Sequence, residues 1–278
     1  MLLGAISGLA AVAAAMICAG TGSFAGLRWL WAWPACFALC WVVLTAVAFV
    51  FLLIMAMWVD QDVPQEKNSR FYRAMTHLYI GFIKSVVRLR VDTRGLDKTP
   101  QEGRFMLVCN HLNDSDPAIL LYYFKQSRIA FISKQENKDM FIVGKLMHKL
   151  QCQLLNRDND RDALRCILKC IQMLKDDRAS IAVFPEGYVS KQRRLLPFRS
   201  GVFKIAQKAN VPIVVCTMTN TADSISNLLH QKPSHIDLHL LEVIPAQELQ
   251  GVNTAQIGQR IYDLMAADLG PENISDDE

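Results

Sequence analysis

Two long uncharged stretches open the chain: no charged side chain occurs from Met1 to Leu27, and none from Leu30 to Val59. Each is long enough to cross a bilayer, whose hydrocarbon core takes ~20 apolar residues of helix. In the second, Phe37 to Trp58 is dense in large apolar side chains and bracketed by Trp29, Trp31, Trp33 and Trp58. Tryptophan gathers where a span meets the headgroups. The first is richer in Ala and Gly, and it lacks the early Lys or Arg of a secretory signal, Arg28 being the first cation. The pattern predicts a membrane anchor over 1–59 with two transmembrane helices, 2–20 and 34–58. An interfacial or re-entrant segment is the other reading of the first stretch.

The polar–apolar pattern then changes. Between Asn68 and Arg90, Phe71, Met75, Leu78, Tyr79, Phe82, Val86 and Val87 recur at helical spacing, with Arg73, Lys84 and Arg88 among them. This predicts an amphipathic helix, which either lies on an anionic membrane surface or packs its stripe on a folded core. With its linker it occupies 60–100. Beyond Pro100, short apolar runs (105–109, 129–132, 181–184, 213–217 and 236–244) alternate with helical patterns (118–125, 161–175, 202–209 and 255–269). Strands separated by helices predict an α/β domain over 101–270, a largely parallel central sheet flanked by helices. The acidic stretch 271–278 reads as a disordered tail.

Charge orients the chain. The net charge of +4 is modest, but Lys67, Arg70, Arg73, Lys84, Arg88, Arg90 and Arg94 all follow the second apolar stretch. Positive flanks stay inside, so the domain is expected to face the cytoplasm from the cell membrane. The eight cysteines include no C-x-x-C pair; they read as reduced, buried residues rather than a disulfide or zinc framework. Nucleic acid is not an expected partner.

In parallel sheets ligands sit beyond the carboxyl ends of strands, which directs attention to the segments after Cys109 and Phe184. After Cys109 stands Asn110-His111-Leu112-Asn113-Asp114-Ser115-Asp116-Pro117. A carboxylate that holds one imidazole nitrogen leaves the other free to act as a base. Spacing alone favours a plainer reading, with Asp116 as a helix cap before Pro117 and His111 as a turn residue. The second segment, Phe184-Pro185-Glu186-Gly187, places a carboxylate and a glycine in a turn, where they can hold a polyol hydroxyl or let backbone approach a ligand. Downstream, Lys191, Arg193, Arg194 and Arg199 form a basic loop, either a phosphate contact or a solvated surface. A metal held by His111, Asp114 and Asp116 lacks a second histidine at ligand spacing, so none is expected. An esterase lacks its G-x-S-x-G elbow.

Taken in order, these motifs resemble the 1-acylglycerol-3-phosphate O-acyltransferase family over about Val91 to Val243. An Asn-His, four residues, then Asp is matched by Asn110, His111 and Asp116; Phe-Pro-Glu-Gly, a Ser and a Pro-Phe-Lys/Arg-x-Gly stretch are matched by 184–187, Ser190 and 197–201. Three places depart from the pattern. Asn156 stands before Arg157 where an Asp is usual, Tyr188-Val189 replace a Thr-Arg pair, and Val211 to Val215 lacks a second proline. The resemblance implies transfer of a fatty acyl group from acyl-CoA or acyl-acyl carrier protein, as co-substrate with no bound cofactor, to the hydroxyl of lysophosphatidic acid, giving phosphatidic acid. It implies His111 and Asp116 as the catalytic pair, and Asn110, Arg157, Glu186, Gly187 and Arg199 as substrate-binding residues. The departures leave another lysophospholipid or a lyso-aminolipid open as acceptor. A lipid esterase and a non-catalytic lipid-binding module are the readings outside this chemistry.

Overall fold

A computed structural model describes residues 1–156, 159–190, 192–222 and 232–273; the acidic tail from 274 onward lies outside them. The chain opens with an antiparallel pair of apolar helices, α1 (Leu2–Gly20) and α2 (Trp29–Met57). Their packing follows from one stripe on α1: Ile6, Ala10, Ala14 and Cys18, spaced by four, are buried. Mostly small side chains at that spacing let two helices approach closely. Trp41 Nε1 on α2 donates to Ser7 Oγ on α1 across the same seam, at 3.3 Å. The remaining surface of the pair is apolar and exposed, Leu9, Val12, Leu39, Val43 and Val47 included. Both helices are long and apolar enough to cross a membrane.

Helix α3 (Arg70–Val86) is capped by Ser69, whose hydroxyl accepts the Tyr72 amide. Part of its stripe packs on the folded protein. Tyr72 Oη donates to the Met55 carbonyl at 2.9 Å, and Tyr79 Oη donates to the Ala48 carbonyl, so α3 runs antiparallel along the last turns of α2. Its Arg73, Met75 and Thr76 are buried, while Phe71, Leu78, Ile83 and Val86 stay exposed. Arg73 is the strut between this helix and the sheet. It donates from Nη2 to the Ile129 carbonyl and from Nε to Asn68 Oδ1, each at 2.9 Å. Burial pushes its guanidinium down to about 10.

Seven strands form one sheet in the order β1-β7-β6-β2-β5-β3-β4. They are β1 (Leu89–Arg94), β2 (Met106–Cys109), β3 (Ile129–Lys134), β4 (Gln153–Leu155), β5 (Ser180–Val183), β6 (Ile213–Thr219) and β7 (Ser234–Ile244). Neighbours pair in parallel, except that β7 runs against β6. The expected largely parallel sheet is therefore present, and it starts earlier than the boundary at 101. The reason β1 was not legible is its pattern: only Leu89 and Val91 turn inward, while charged Arg90, Asp92 and Arg94 lie between and beyond them. An edge strand with that composition looks like the charged end of a helix.

Strand alternation splits the core in two. Met106, Val108, Ile181, Val183, Ile213 and Val215 face α6 (Asp160–Lys175), α7 (Lys204–Ala209) and α9 (Thr254–Leu269). Leu107, Cys109, Ala182, Val214 and Cys216 face α4 (Asp116–Tyr123). Two short helices, α5 (Val143–Lys149) and α8 (Ala246–Leu249), come after β3 and β7 in the chain. Because β2 and β5 are adjacent and parallel, the segments after Cys109 and Val183 emerge side by side at one edge of the sheet.

Candidate active site

At that edge His111 leaves β2 and Asp116 opens α4, and the turn between them folds the two side chains together. His111 Nδ1 lies 3.0 Å from Asp116 Oδ2. The same oxygen accepts the amides of Leu112 at 2.7 Å and Asn113 at 2.9 Å. Asp116 is fully buried, with no exposed surface. The aspartate thus reaches back into the loop instead of capping the helix that it starts. Because that oxygen already accepts two amides, His111 Nδ1 is the donor to it, and Nε2 is the nitrogen that Asp116 does not engage. The imidazole lies flat on Phe184, ring centres 4.0 Å apart and 13° from parallel; Phe184 in turn stacks on Phe131. Two constraints, one polar and one apolar, hold the ring in a single orientation.

Glu186 ties three segments to one point. Its Oε1 accepts the amide of His111 at 2.7 Å, and its Oε2 accepts the amide of Leu196 at 3.0 Å. The residue is 3% exposed. Burial pushes its carboxyl up to about 8; the two amide donors pull it down, and the nearby Asp116 carboxylate adds to the rise. Both oxygens are engaged by backbone, so Glu186 acts by fixing where His111 sits.

Gly187 has φ +81°, a conformation that side chains with a Cβ avoid. A Cβ there would come within 3.0 Å of Arg199 Nε. Arg199 is exposed; it lies over the Tyr188 ring at 5.2 Å, and its amide returns to the Pro185 carbonyl at 2.9 Å. The glycine therefore lets a cation rest beside the turn that carries Glu186. Ser190, in the same loop, donates its amide to the His111 carbonyl at 2.8 Å.

Asn110, expected as a substrate contact, is placed otherwise. It is 1% exposed, its Nδ2 donates to the Met218 carbonyl at 2.9 Å, and its Oδ1 accepts the Met218 amide at 2.7 Å. Its side chain continues the β2–β6 ladder one step past the strand and is taken up by backbone. The expected site residue Arg157 lies outside the described residues, as does Lys191 of the basic loop. Reasoning from sequence missed the ring stack and the Leu196 amide. Phe184 was within the motif, but aromatic stacking on His111 depends on β2 and β5 being neighbours, which no local pattern encodes. No cluster of His, Cys, Asp and Glu suited to a metal occurs among the described residues.

Comparison with known proteins gives a consistent result. The acyltransferase family model matches residues 90–219. A 1-acyl-sn-glycerol-3-phosphate acyltransferase of Escherichia coli is 27% identical over 69% of this chain and 76% of its own length. A chloroplastic enzyme of the same name from Brassica napus is 31% identical over 54% of this chain; the match spans 44% of that longer protein. Among solved structures, the 1-acyl-sn-glycerophosphate (LPA) acyltransferase of Thermotoga maritima superposes with a TM-score of 0.58 at 18% identity, over 82% of this chain and 91% of its own. At that identity the superposition speaks for the fold.

Proposed function

The chain belongs to the 1-acylglycerol-3-phosphate O-acyltransferase family, and from that premise we propose that it moves a fatty acyl group from a thioester to the free hydroxyl of lysophosphatidic acid, yielding phosphatidic acid. The observation that carries this is the His111–Asp116 pair at a sheet edge, with the imidazole fixed on Phe184 and one nitrogen left for a substrate. Nε2 takes the acceptor's hydroxyl proton as its oxygen attacks the thioester carbonyl. The C–S bond then breaks, the proton passes to the departing thiol, and Asp116 stabilises the imidazolium in between. A base positioned in this way typically contributes ~10²–10⁴-fold.

Under this reading Glu186 holds His111 in place, Gly187 leaves room for Arg199, and Arg199 meets the acceptor phosphate together with Arg157. The donor is acyl-CoA or acyl-acyl carrier protein, a co-substrate with no resident cofactor. Helices α1 and α2 serve as the membrane anchor, which suits a reaction whose lipid acceptor and product both live in the bilayer. The cations that follow α2 favour a cytoplasmic domain. The test is transfer by the detergent-solubilised full chain from labelled acyl-CoA or acyl-acyl carrier protein to a panel of lysolipids. Lysophosphatidic acid is expected to be the preferred acceptor. Preference for a phosphate-free or choline-bearing lysolipid would overturn that choice, and release of free fatty acid alone would favour an esterase.

A further inference from the structure

Strand β3 ends at the same sheet edge as the site, next to β5. Beyond it the chain builds an apolar projection. After a 3₁₀ turn over Gln135–Asp139, Met140 is 49% exposed, Phe141 53% and Val143 45%. Three large apolar side chains within four residues make an unusual surface for a loop, since exposed apolar groups that cluster mark interaction sites.

The projection is held firmly. Gly144 donates its amide to the Met140 carbonyl at 2.7 Å, and any Cβ on Gly144 would fall 2.2 Å from the Lys138 carbonyl. Its position relative to α2 is equally firm. Lys145 Nζ donates to the Val59 carbonyl at 2.7 Å, Gln61 Nε2 donates to the Lys138 carbonyl at 3.2 Å, and Lys138 Nζ lies 3.5 Å from Asp62 Oδ1. Val59 follows α2 by two residues, and the intervening Trp58 is 75% exposed. An exposed tryptophan closing an apolar helix marks the level of the headgroups. The loop is therefore bound, from both sides, to the place where the chain leaves the anchor.

We propose that Met140, Phe141 and Val143 dip into the bilayer as a second membrane contact beside α2, seating the catalytic edge of the sheet against the lipid surface. This rests on the reading of α1 and α2 as a membrane anchor. Lys138 is paired with Asp62 and Lys145 is taken up by the Val59 carbonyl, so insertion here is driven by apolar burial and needs no anionic lipid. The occupant is the acyl-chain boundary of the membrane, because the patch is continuous with the exit of α2.

The test uses the full chain reconstituted in phosphatidylcholine vesicles whose acyl chains carry bromine near the headgroup. A Phe141→Trp variant adds one tryptophan to those already present. Its added emission, obtained by difference from the parent chain, is expected to be quenched by the bromine. In parallel, a Met140→Ser/Phe141→Ser double variant is expected to transfer roughly tenfold more slowly to acceptor in vesicles, the effect of about 1.4 kcal/mol of lost apolar burial. Its rate on the same acceptor in mixed detergent micelles is expected to be unchanged.

Unquenched added emission from a chain that floats with the vesicles would overturn the proposal. Emission shifted to the blue yet untouched by bromine would overturn it too, by placing a second copy over the loop. A parent chain that does not float with vesicles would overturn both this and the anchor. Quenching as expected in a parent chain that transfers nothing would leave the membrane contact standing and remove the acyltransferase reading.

Discussion

Replacing Glu186 by glutamine tests how the site is held, and the sign of its effect depends on pH. In the fold this carboxyl is pushed from an ordinary value of 4.5 up to about 8, mainly by burial. A group whose pKa is raised in the folded state binds a proton that the unfolded chain has released. Its stabilising contribution is complete below pH 4.5 and is lost as the pH climbs through about 8. His77 works in the opposite direction: burial, with Arg73 and Lys125 nearby, lowers it from 6.5 to about 4, so its contribution grows as the pH rises between those values. Over pH 4.5 to 6.5 the two trends oppose each other. From 6.5 to 8 Glu186 acts alone of the two, and 1.5 pH units at 1.36 kcal/mol each give a loss of about 2 kcal/mol.

Thermal unfolding in detergent, followed by circular dichroism, reads this directly. The parent melting temperature is expected to be nearly level up to pH 6.5 and then to fall by several degrees toward pH 8. The Glu186→Gln variant is expected to lose that decline. It should also melt lower at pH 6.5, because a glutamine Nε2 cannot accept one of the two amides that Glu186 now accepts, at a cost of about 1–3 kcal/mol. A parent melting temperature level from 6.5 to 8, or a decline that survives in the variant, would refute the reasoning.

Other substitutions probe the remaining parts. Asp116→Asn should be milder than removal of the histidine: Leu112 and Asn113 amides force the asparagine oxygen to occupy the Oδ2 position, so the Nδ1–H bond survives, while the charge is lost and the amide Nδ2 takes the buried Oδ1 position, which offers it no partner. A fall in kcat of roughly 10²-fold is expected, and a loss equal to that of His111→Ala would show that orientation had failed as well. Asn110→Ala leaves the buried Met218 amide and carbonyl without their side-chain partner and is expected to cost about 2–5 kcal/mol in denaturant unfolding; an unchanged midpoint would make Asn110 a ligand contact after all. Gly187→Ala, at φ +81°, should cost about 1–2 kcal/mol and displace Arg199, raising KM for a phosphate-bearing acceptor more than it lowers kcat. An unaltered KM would remove Arg199 from the acceptor site.

Much of this architecture is legible in the chain because its signals are local. Uncharged runs mark α1 and α2, and buried apolar runs with helical patterns between them mark β2, β3, β5, β6, α6 and α9. What stayed hidden depends on distant partners. Strand β1 is recognisable only beside β7, the three-residue β4 only beside β3, and α5 is a short helix of seven residues whose Lys145 and His148 reach back to Val59 and Val63. The same distinction runs through the site. His111, Asp116 and Glu186 are marked by their motifs, yet spacing alone made Asp116 a cap. Only the geometry separates Asn110, spent on Met218, from Arg199, which is exposed beside Gly187.

The central claim is that His111 is the base that activates the acceptor hydroxyl. Initial rates of transfer from labelled acyl-CoA, or acyl-acyl carrier protein where that is the donor, to lysophosphatidic acid, compared between the parent chain and a folded His111→Ala variant, test it most directly. A fall in kcat of about 10²–10⁴-fold with little change in KM is expected. Transfer at the parent rate in the variant would contradict it.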